Sequence, residues 1–202
     1  SWKCLVLVQC SVLIAECNMH SIYNDLLPEL QHMKIKQTVE SENFLWTYTP
    51  GTTPDVKMPD VPQFVRVIEH SDIEHETHYT AGKQWTNWIT EALFARNPKE
   101  IKRIVRSKMN LLMPHPAQIP FHAPHTDVSI SPEIDIDKYM SILYYVNNSD
   151  GATHLFHPSG EPSMIEPKAN RCLVIPAALT HASSSPVSTD RRIVMNIVVE
   201  LR

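Results

Sequence analysis

The chain has 202 residues, enough for one domain with a sizeable core. Apolar content of 43% and charged content of 20% are ordinary for a soluble globular protein, and a formal charge of −4 argues against non-specific nucleic-acid binding. No apolar run approaches the roughly 18–20 residues of a membrane span, so neither nucleic acid nor a membrane is expected as a partner.

Cys4 to Ala15 is apolar and follows Lys3. It could pass for a signal-peptide core. Gln9 and Ser11 interrupt it, however, and Glu16 follows where small residues should mark a cleavage site, so a buried strand is expected. Cys4, Cys10, Cys17 and Cys172 form no C-x-x-C pair, which disfavours structural zinc. Four cysteines in a chain this long also make a disulfide framework improbable, and reduced thiols in the cytoplasm are the expectation.

His20 to Met33 places Ile22, Leu26, Leu27, Leu30 and Met33 at helical spacing, with Pro28 expected to kink the helix or shift its start. Residues 48–62 carry Pro50, Gly51, Pro54, Pro59 and Pro62 and read as a loop. His70, His75 and His78 lie among Glu69, Asp72, Glu74 and Glu76, a solvated acidic stretch. Gln84 to Arg96 reads as a helix with Trp85, Trp88, Ile89, Leu93 and Phe94 on one side, ended by Asn97-Pro98. Lys99, Lys102, Arg103, Arg106 and Lys108 could form a local basic patch.

From Ile101 onward short β-rich runs alternate with turn residues. Strands are expected near 101–113, 125–131, 138–146, 153–157, 162–167, 171–176, 180–184 and 191–200. So many short strands indicate a sandwich or jelly roll rather than a parallel α/β sheet. The expected fold is mainly β with N-terminal helices. Residues 1–100 would be a mixed α/β support and 101–202 the core of a single domain.

His125 and Asp127 stand two apart in His-Thr-Asp, a spacing that puts both side chains on one face of a strand. His181 opens a later strand, which in a jelly roll can lie opposite the first. Two histidines and one carboxylate on one side of a metal make the facial triad of non-haem iron(II) oxygenases, with coordination positions left open. An arginine pair follows. Period-2 alternation puts Arg191, Ile193, Met195, Ile197 and Val199 on one face, greasy beyond its arginine, as under covering helices. Arg192, Val194, Asn196 and Val198 fall on the other, where Asn196 suits an interior that holds a charged cofactor. His115 and His122, among Pro114, Pro116, Pro120 and Pro124, read as pocket or surface groups on a loop near the metal entrance rather than ligands.

One ordered set of segments goes further: His125-Thr-Asp127, Ser141-Ile-Leu-Tyr-Tyr-Val-Asn147, Asp150-Gly-Ala-Thr-His-Leu155, Ile165-Glu-Pro-Lys168, Arg171-Cys-Leu-Val-Ile-Pro176, His181 and Asp190-Arg-Arg-Ile193. On these residues Ile101 to Arg202 resembles the catalytic core of the iron(II)/2-oxoglutarate-dependent oxygenases, nearest their prolyl-hydroxylase-like and phage-type branches. The resemblance implies a double-stranded β-helix, a cupin-like jelly-roll barrel. It implies iron(II) on His125, Asp127 and His181, with 2-oxoglutarate as cosubstrate and dioxygen as oxidant. It assigns the far carboxylate of 2-oxoglutarate to an arginine. The strand register favours Arg192, with Arg191 the alternative, and a guanidinium fork matches a carboxylate in a way lysine cannot. Tyr145, the second tyrosine of the Tyr-Tyr-hydrophobic-Asn strand, corresponds to a residue that bonds that carboxylate. The family often has Gly-Gly where this chain has Gly151-Ala152.

The implied reaction is hydroxylation of a C–H bond in a peptide, amino acid or small metabolite. A cupin-like metal protein or isomerase could share the barrel but would more usually show H-x-H with a glutamate. A metal-free binding module is the third class. Substrate identity and oligomeric state are not legible here, because loops decide what one barrel binds.

Overall fold

Pro28 decides where the first helix begins. Its φ of −53° and ψ of 142° are extended, so it stands as the cap residue, and the helix α1 runs Glu29–Val39. The ring cannot sit inside a helix without losing a hydrogen bond and meeting the preceding turn. The expected His20–Met33 helix is therefore replaced by a short strand, β1 (Ser21–Tyr23), followed by α1. The second helix, α2 (Lys83–Arg96), lies where the apolar spacing put it.

This computed structural model describes residues 20–52, 60–71, 79–116, 119–129, 131–158, 160 and 162–202. The expected strand Cys4 to Ala15, the thiols of Cys4, Cys10 and Cys17, and His75 and His78 lie outside them. Among the described residues, no helix is long and apolar enough to cross a membrane.

The chain is mostly β, in two antiparallel sheets, with strands numbered in chain order. The larger sheet runs β1, β8 (Arg171–Pro176), β5 (Tyr139–Tyr145), β10 (Arg192–Leu201), β4 (Ile101–Leu112), β3 (Gln63–His70), β2 (Thr47–Thr49). The smaller runs β7 (Ser163–Ile165), β6 (Thr153–Leu155), β9 (His181–Ser183). The first half of the chain thus supplies both edges of the large sheet. The sequence reading assigned no element to Gln63–His70. It carries apolar residues on both faces, and its partner, β4, lies more than thirty residues away in sequence.

Among the described residues, the strand expected at 125–131 does not form. Only His125 pairs, in a single antiparallel bridge to His181. Pro124 and Pro132 flank the stretch and lack N–H donors, so a ladder cannot continue through either end. The backbone is satisfied piecemeal instead, with His125 N–H donating to the His181 carbonyl and Asp127 N–H to that of Ala177.

Alternation on the central strand β10 divides the interior. Ile193, Met195, Ile197 and Val199 face the helices and pack with Ile35, Val39, Ile89 and Leu93. Each such side chain, fully buried, contributes roughly 1.5–3 kcal/mol of transfer free energy. Val194 faces the other way, into a cluster with Leu143, Tyr145, Leu155 and Leu179 between the two sheets. Tyr144 and Tyr145 are split by the same rule. Tyr144 points to the helices, its hydroxyl donating to Asn170 Oδ1 and lying 2.7 Å from His32 Nδ1, whereas Tyr145 points between the sheets.

Candidate metal centre

His125 and His181 are direct cross-strand partners, joined by two backbone hydrogen bonds of 2.9 Å. Their rings lie 4.6 Å apart between centroids. Each Nδ1 sits against a carbonyl two residues back, Ala123 at 3.1 Å and Leu179 at 2.9 Å. A carbonyl can only accept, so each Nδ1 carries a proton, and in the neutral ring the Nε2 lone pair is left for a metal. Burial first, and then the neighbouring His181, pull His125 below the ordinary imidazole range, which keeps it in the unprotonated form a metal requires.

Asp127 reaches across to the large sheet, its side chain only 2% exposed. It accepts hydrogen bonds from Arg106 at 2.7 Å, Ser141 at 2.6 Å and the Asn196 amide at 3.1 and 3.2 Å. Burial alone would raise its pKa. His181, Arg106 and the Ser141 hydroxyl outweigh that and hold the carboxyl well below the usual range. Its Oδ2 is 3.6 Å from His181 Nε2, and ligand atoms of His125, Asp127 and His181 all fall within 4.8 Å of one another. Two imidazoles with Nε2 facing the site and an ionised carboxylate, each oriented by a further hydrogen bond, fit a divalent transition metal.

Arg192 lies on the wall of the same pocket and is 4% exposed. Its Nε donates to the Gly151 carbonyl and its Nη2 to Thr153, both at 2.8 Å. Among the described residues, no carboxylate pairs with it and no further acceptor meets its other N–H groups. Tyr145 lies behind it, with the guanidinium 5.9 Å above its ring and its hydroxyl 2.8 Å from Thr153. Its side chain is fully buried. Gly151 is compulsory here, because a Cβ would stand 2.6 Å from the Ser184 carbonyl and 3.1 Å from Arg192 Cδ. Arg191 is elsewhere, on the outside, paired with Asp190.

Several pocket residues were not singled out from the sequence. The basic stretch from Lys99 to Lys108 is no single patch, since strand alternation and pairing split it. Lys102 and Arg103 pair with Glu200, Arg106 with Asp127, and Lys108 lines the pocket beside Asn110. Thr52 and Gln63, at the base of the 48–62 loop, line it as well. The amide oxygens of Asn110 and Asn196 are buried with no donor.

His122 is neither a surface nor a pocket group. It is 1% exposed, with its two ring nitrogens 3.0 Å from the hydroxyls of Ser183 and Ser185. Burial pushes its pKa down to about 4, against about 6.5 in an unfolded chain. Between those values the unfolded chain takes up a proton that the folded one refuses. Stability should be full above about pH 6.5 and fall by about 2–3 kcal/mol toward pH 4. Urea denaturation of wild type and His122→Gln across that range checks this, and the acid limb should flatten in the variant.

No protein-family profile and no curated protein match this sequence. Solved structures do. An oxidoreductase of the 2OG-Fe(II) oxygenase family from Burkholderia pseudomallei aligns with a TM-score of 0.65 at 13% identity, covering 91% of this chain and 86% of that one. A prolyl-4-hydroxylase from Pseudomonas putida aligns at 0.59 and 13% identity, covering 91% and 93%. A non-haem alpha-ketoglutarate-dependent carbocyclase of nogalamycin biosynthesis aligns at 0.62 and 10% identity, covering 90% and 79%. Likeness at such identities is likeness of fold, and in fold this chain is one with the iron(II)- and 2-oxoglutarate-dependent oxygenases.

Proposed function

We propose that the chain is an iron(II)- and 2-oxoglutarate-dependent dioxygenase. It hydroxylates a C–H bond of a peptide, amino acid or small metabolite and releases succinate and carbon dioxide. One observation carries the reading: two imidazoles and an ionised carboxylate converge beside a pocket whose wall holds a buried arginine with no anion partner among the described residues. A buried cation with no partner is costly, and a ligand carboxylate would relieve it. A metal-binding protein or isomerase has no need of that arginine.

In this reading His125, Asp127 and His181 hold iron. When bound, iron and 2-oxoglutarate supply dioxygen activation coupled to oxidative decarboxylation. The protein's own part is placement. The carbonyls of Ala123 and Leu179 fix the two imidazoles, and Ser141, Asn196 and Arg106 fix the carboxylate. Arg192 takes the far carboxylate of 2-oxoglutarate. Tyr145 holds Thr153 and Arg192 in position rather than touching the cosubstrate, and Arg191 plays no part. In the same reading the two antiparallel sheets are the halves of a double-stranded β-helix, residues 1–202 act as one domain, and the enzyme works in the cytoplasm, in keeping with its cysteine usage.

Protein reconstituted anaerobically with iron(II) and 2-oxoglutarate, then exposed to dioxygen, should release succinate slowly even without substrate. Iron bound in stoichiometric amount with no succinate formed would favour the metal-protein or isomerase class instead.

A further inference from the structure

The wall of this pocket carries two cations, Lys108 and Arg192, and no acidic side chain. Asp127, the carboxylate of the candidate centre, is paired with Arg106 at 2.7 Å, and the two neutralise each other. The functional reading above puts iron(II) and dianionic 2-oxoglutarate here, and their charges also cancel. Lys108, half-buried, and Arg192, fully buried, then leave two positive charges on the site. Arg192 is matched by the cosubstrate carboxylate, whereas Lys108 has no carboxylate partner among the described residues. Uncompensated charge of this kind is a standing attraction for an anion.

The position of Lys108 makes the attraction specific. On β4 it lies directly opposite Asn196 of β10, whose amide donates to Asp127, so it stands next to the metal side of the pocket and not the Arg192 end. Arg192 is paired in register with Leu112, four residues further along β4. Asn110 follows Lys108 on the same face and also lines the pocket, its amide oxygen buried without a donor. A lysine and an unsatisfied acceptor side by side match a carboxylate flanked by an N–H or O–H group. Burial, then Arg106, lowers the Lys108 pKa to about 8 against the weaker pull of Asp127, which still leaves the ammonium predominant at neutral pH.

We propose that Lys108, with Asn110 beside it, binds an anionic group of the substrate, and that the substrate is a small carboxylate-bearing molecule with a donor next to that carboxylate. Lys108 is a specificity-determining residue, distinct from the cosubstrate anchor.

The test uses the whole chain, kept anaerobic and loaded with one equivalent each of iron(II) and 2-oxoglutarate. Calorimetric titrations with propionate, inorganic phosphate and neutral propionamide are compared for wild type, Lys108→Met and Lys108→Arg. Propionate should bind wild type and Lys108→Arg, and bind Lys108→Met about tenfold or more weakly. Propionamide should bind none of them measurably. Phosphate binding in place of propionate would retain the anion site and reassign its ligand to phosphate esters. The idea fails if propionate and propionamide bind alike, or if Lys108→Met binds propionate as wild type does. It fails equally if Lys108→Met loses 2-oxoglutarate affinity as severely as Arg192→Ala, because Lys108 would then be the cosubstrate anchor. Lys108→Met should keep the wild-type circular dichroism, and Lys108→Gln serves if it does not. An absent iron–2-oxoglutarate absorption band in wild type would count against the oxygenase reading alone, and the calorimetric comparison would still decide the role of Lys108.

Discussion

Replacing His181 or His125 by alanine should abolish stoichiometric iron binding while the fold persists. The pairing between these two residues is a backbone bridge, so it survives loss of either ring. What is lost is one of three ligand atoms that lie within 4.8 Å of one another. Altering only the groups that orient such ligands costs roughly 10–100-fold in metal affinity, so losing a ligand should exceed the upper end of that range. The histidine variants are cleaner probes than Asp127→Ala. Removing that carboxylate would strand Arg106, Ser141 and Asn196, which all donate to it, and would confound metal loss with instability of about 1–3 kcal/mol. Anaerobic reconstitution, gel filtration and metal analysis, with circular dichroism to check the fold, settle the matter. Undiminished iron in either variant would remove that histidine from the centre.

How much of this was legible in the sequence depends on how local the signal is. The phase of Arg191 and Arg192 was readable because β10 pairs in regular register from Arg192 to Val198 and period-2 alternation separates a face that is apolar beyond its arginine from one carrying Asn196. His125 and Asp127 come together as their spacing suggests, but not on a continuous strand. The prolines around them break the ladder, and the shared site depends on the His181 bridge and the Ala177 contact, which are remote in sequence. Pro28 pointed to a displaced helix start without saying how far. Lys108 and Asn110 were not legible. The usual expectation is that a strand turns its polar face to water, and β4 turns one inward because it walls a polar pocket. His122 failed for the opposite reason. Its proline-rich surroundings suggested a surface loop, whereas Ser183 and Ser185 accommodate a buried neutral ring.

Arg192→Ala should weaken 2-oxoglutarate binding by roughly 2–4 kcal/mol, or about 30- to 1000-fold, because a desolvated carboxylate loses its charged partner. Arg191→Ala should change it by less than about 0.5 kcal/mol, since that side chain is exposed and already paired with Asp190. Arg192→Lys should fall between them, as an ammonium keeps the charge but not the fork. Titration of the anaerobic iron–2-oxoglutarate charge-transfer band reads all three. A second observable follows from the same burial. Without a bound anion, Arg192 is a desolvated cation held by Gly151, Thr153 and the Tyr145 ring, so it contributes little or negatively to the stability of the free protein. Ligand binding adds stability in proportion to the logarithm of occupancy, so saturating 2-oxoglutarate should raise the Tm of wild type and of Arg191→Ala but leave Arg192→Ala nearly unmoved. A normal Tm rise in Arg192→Ala together with its loss in Arg191→Ala would mean that the outer arginine turns inward when the cosubstrate binds, against the strand register seen here.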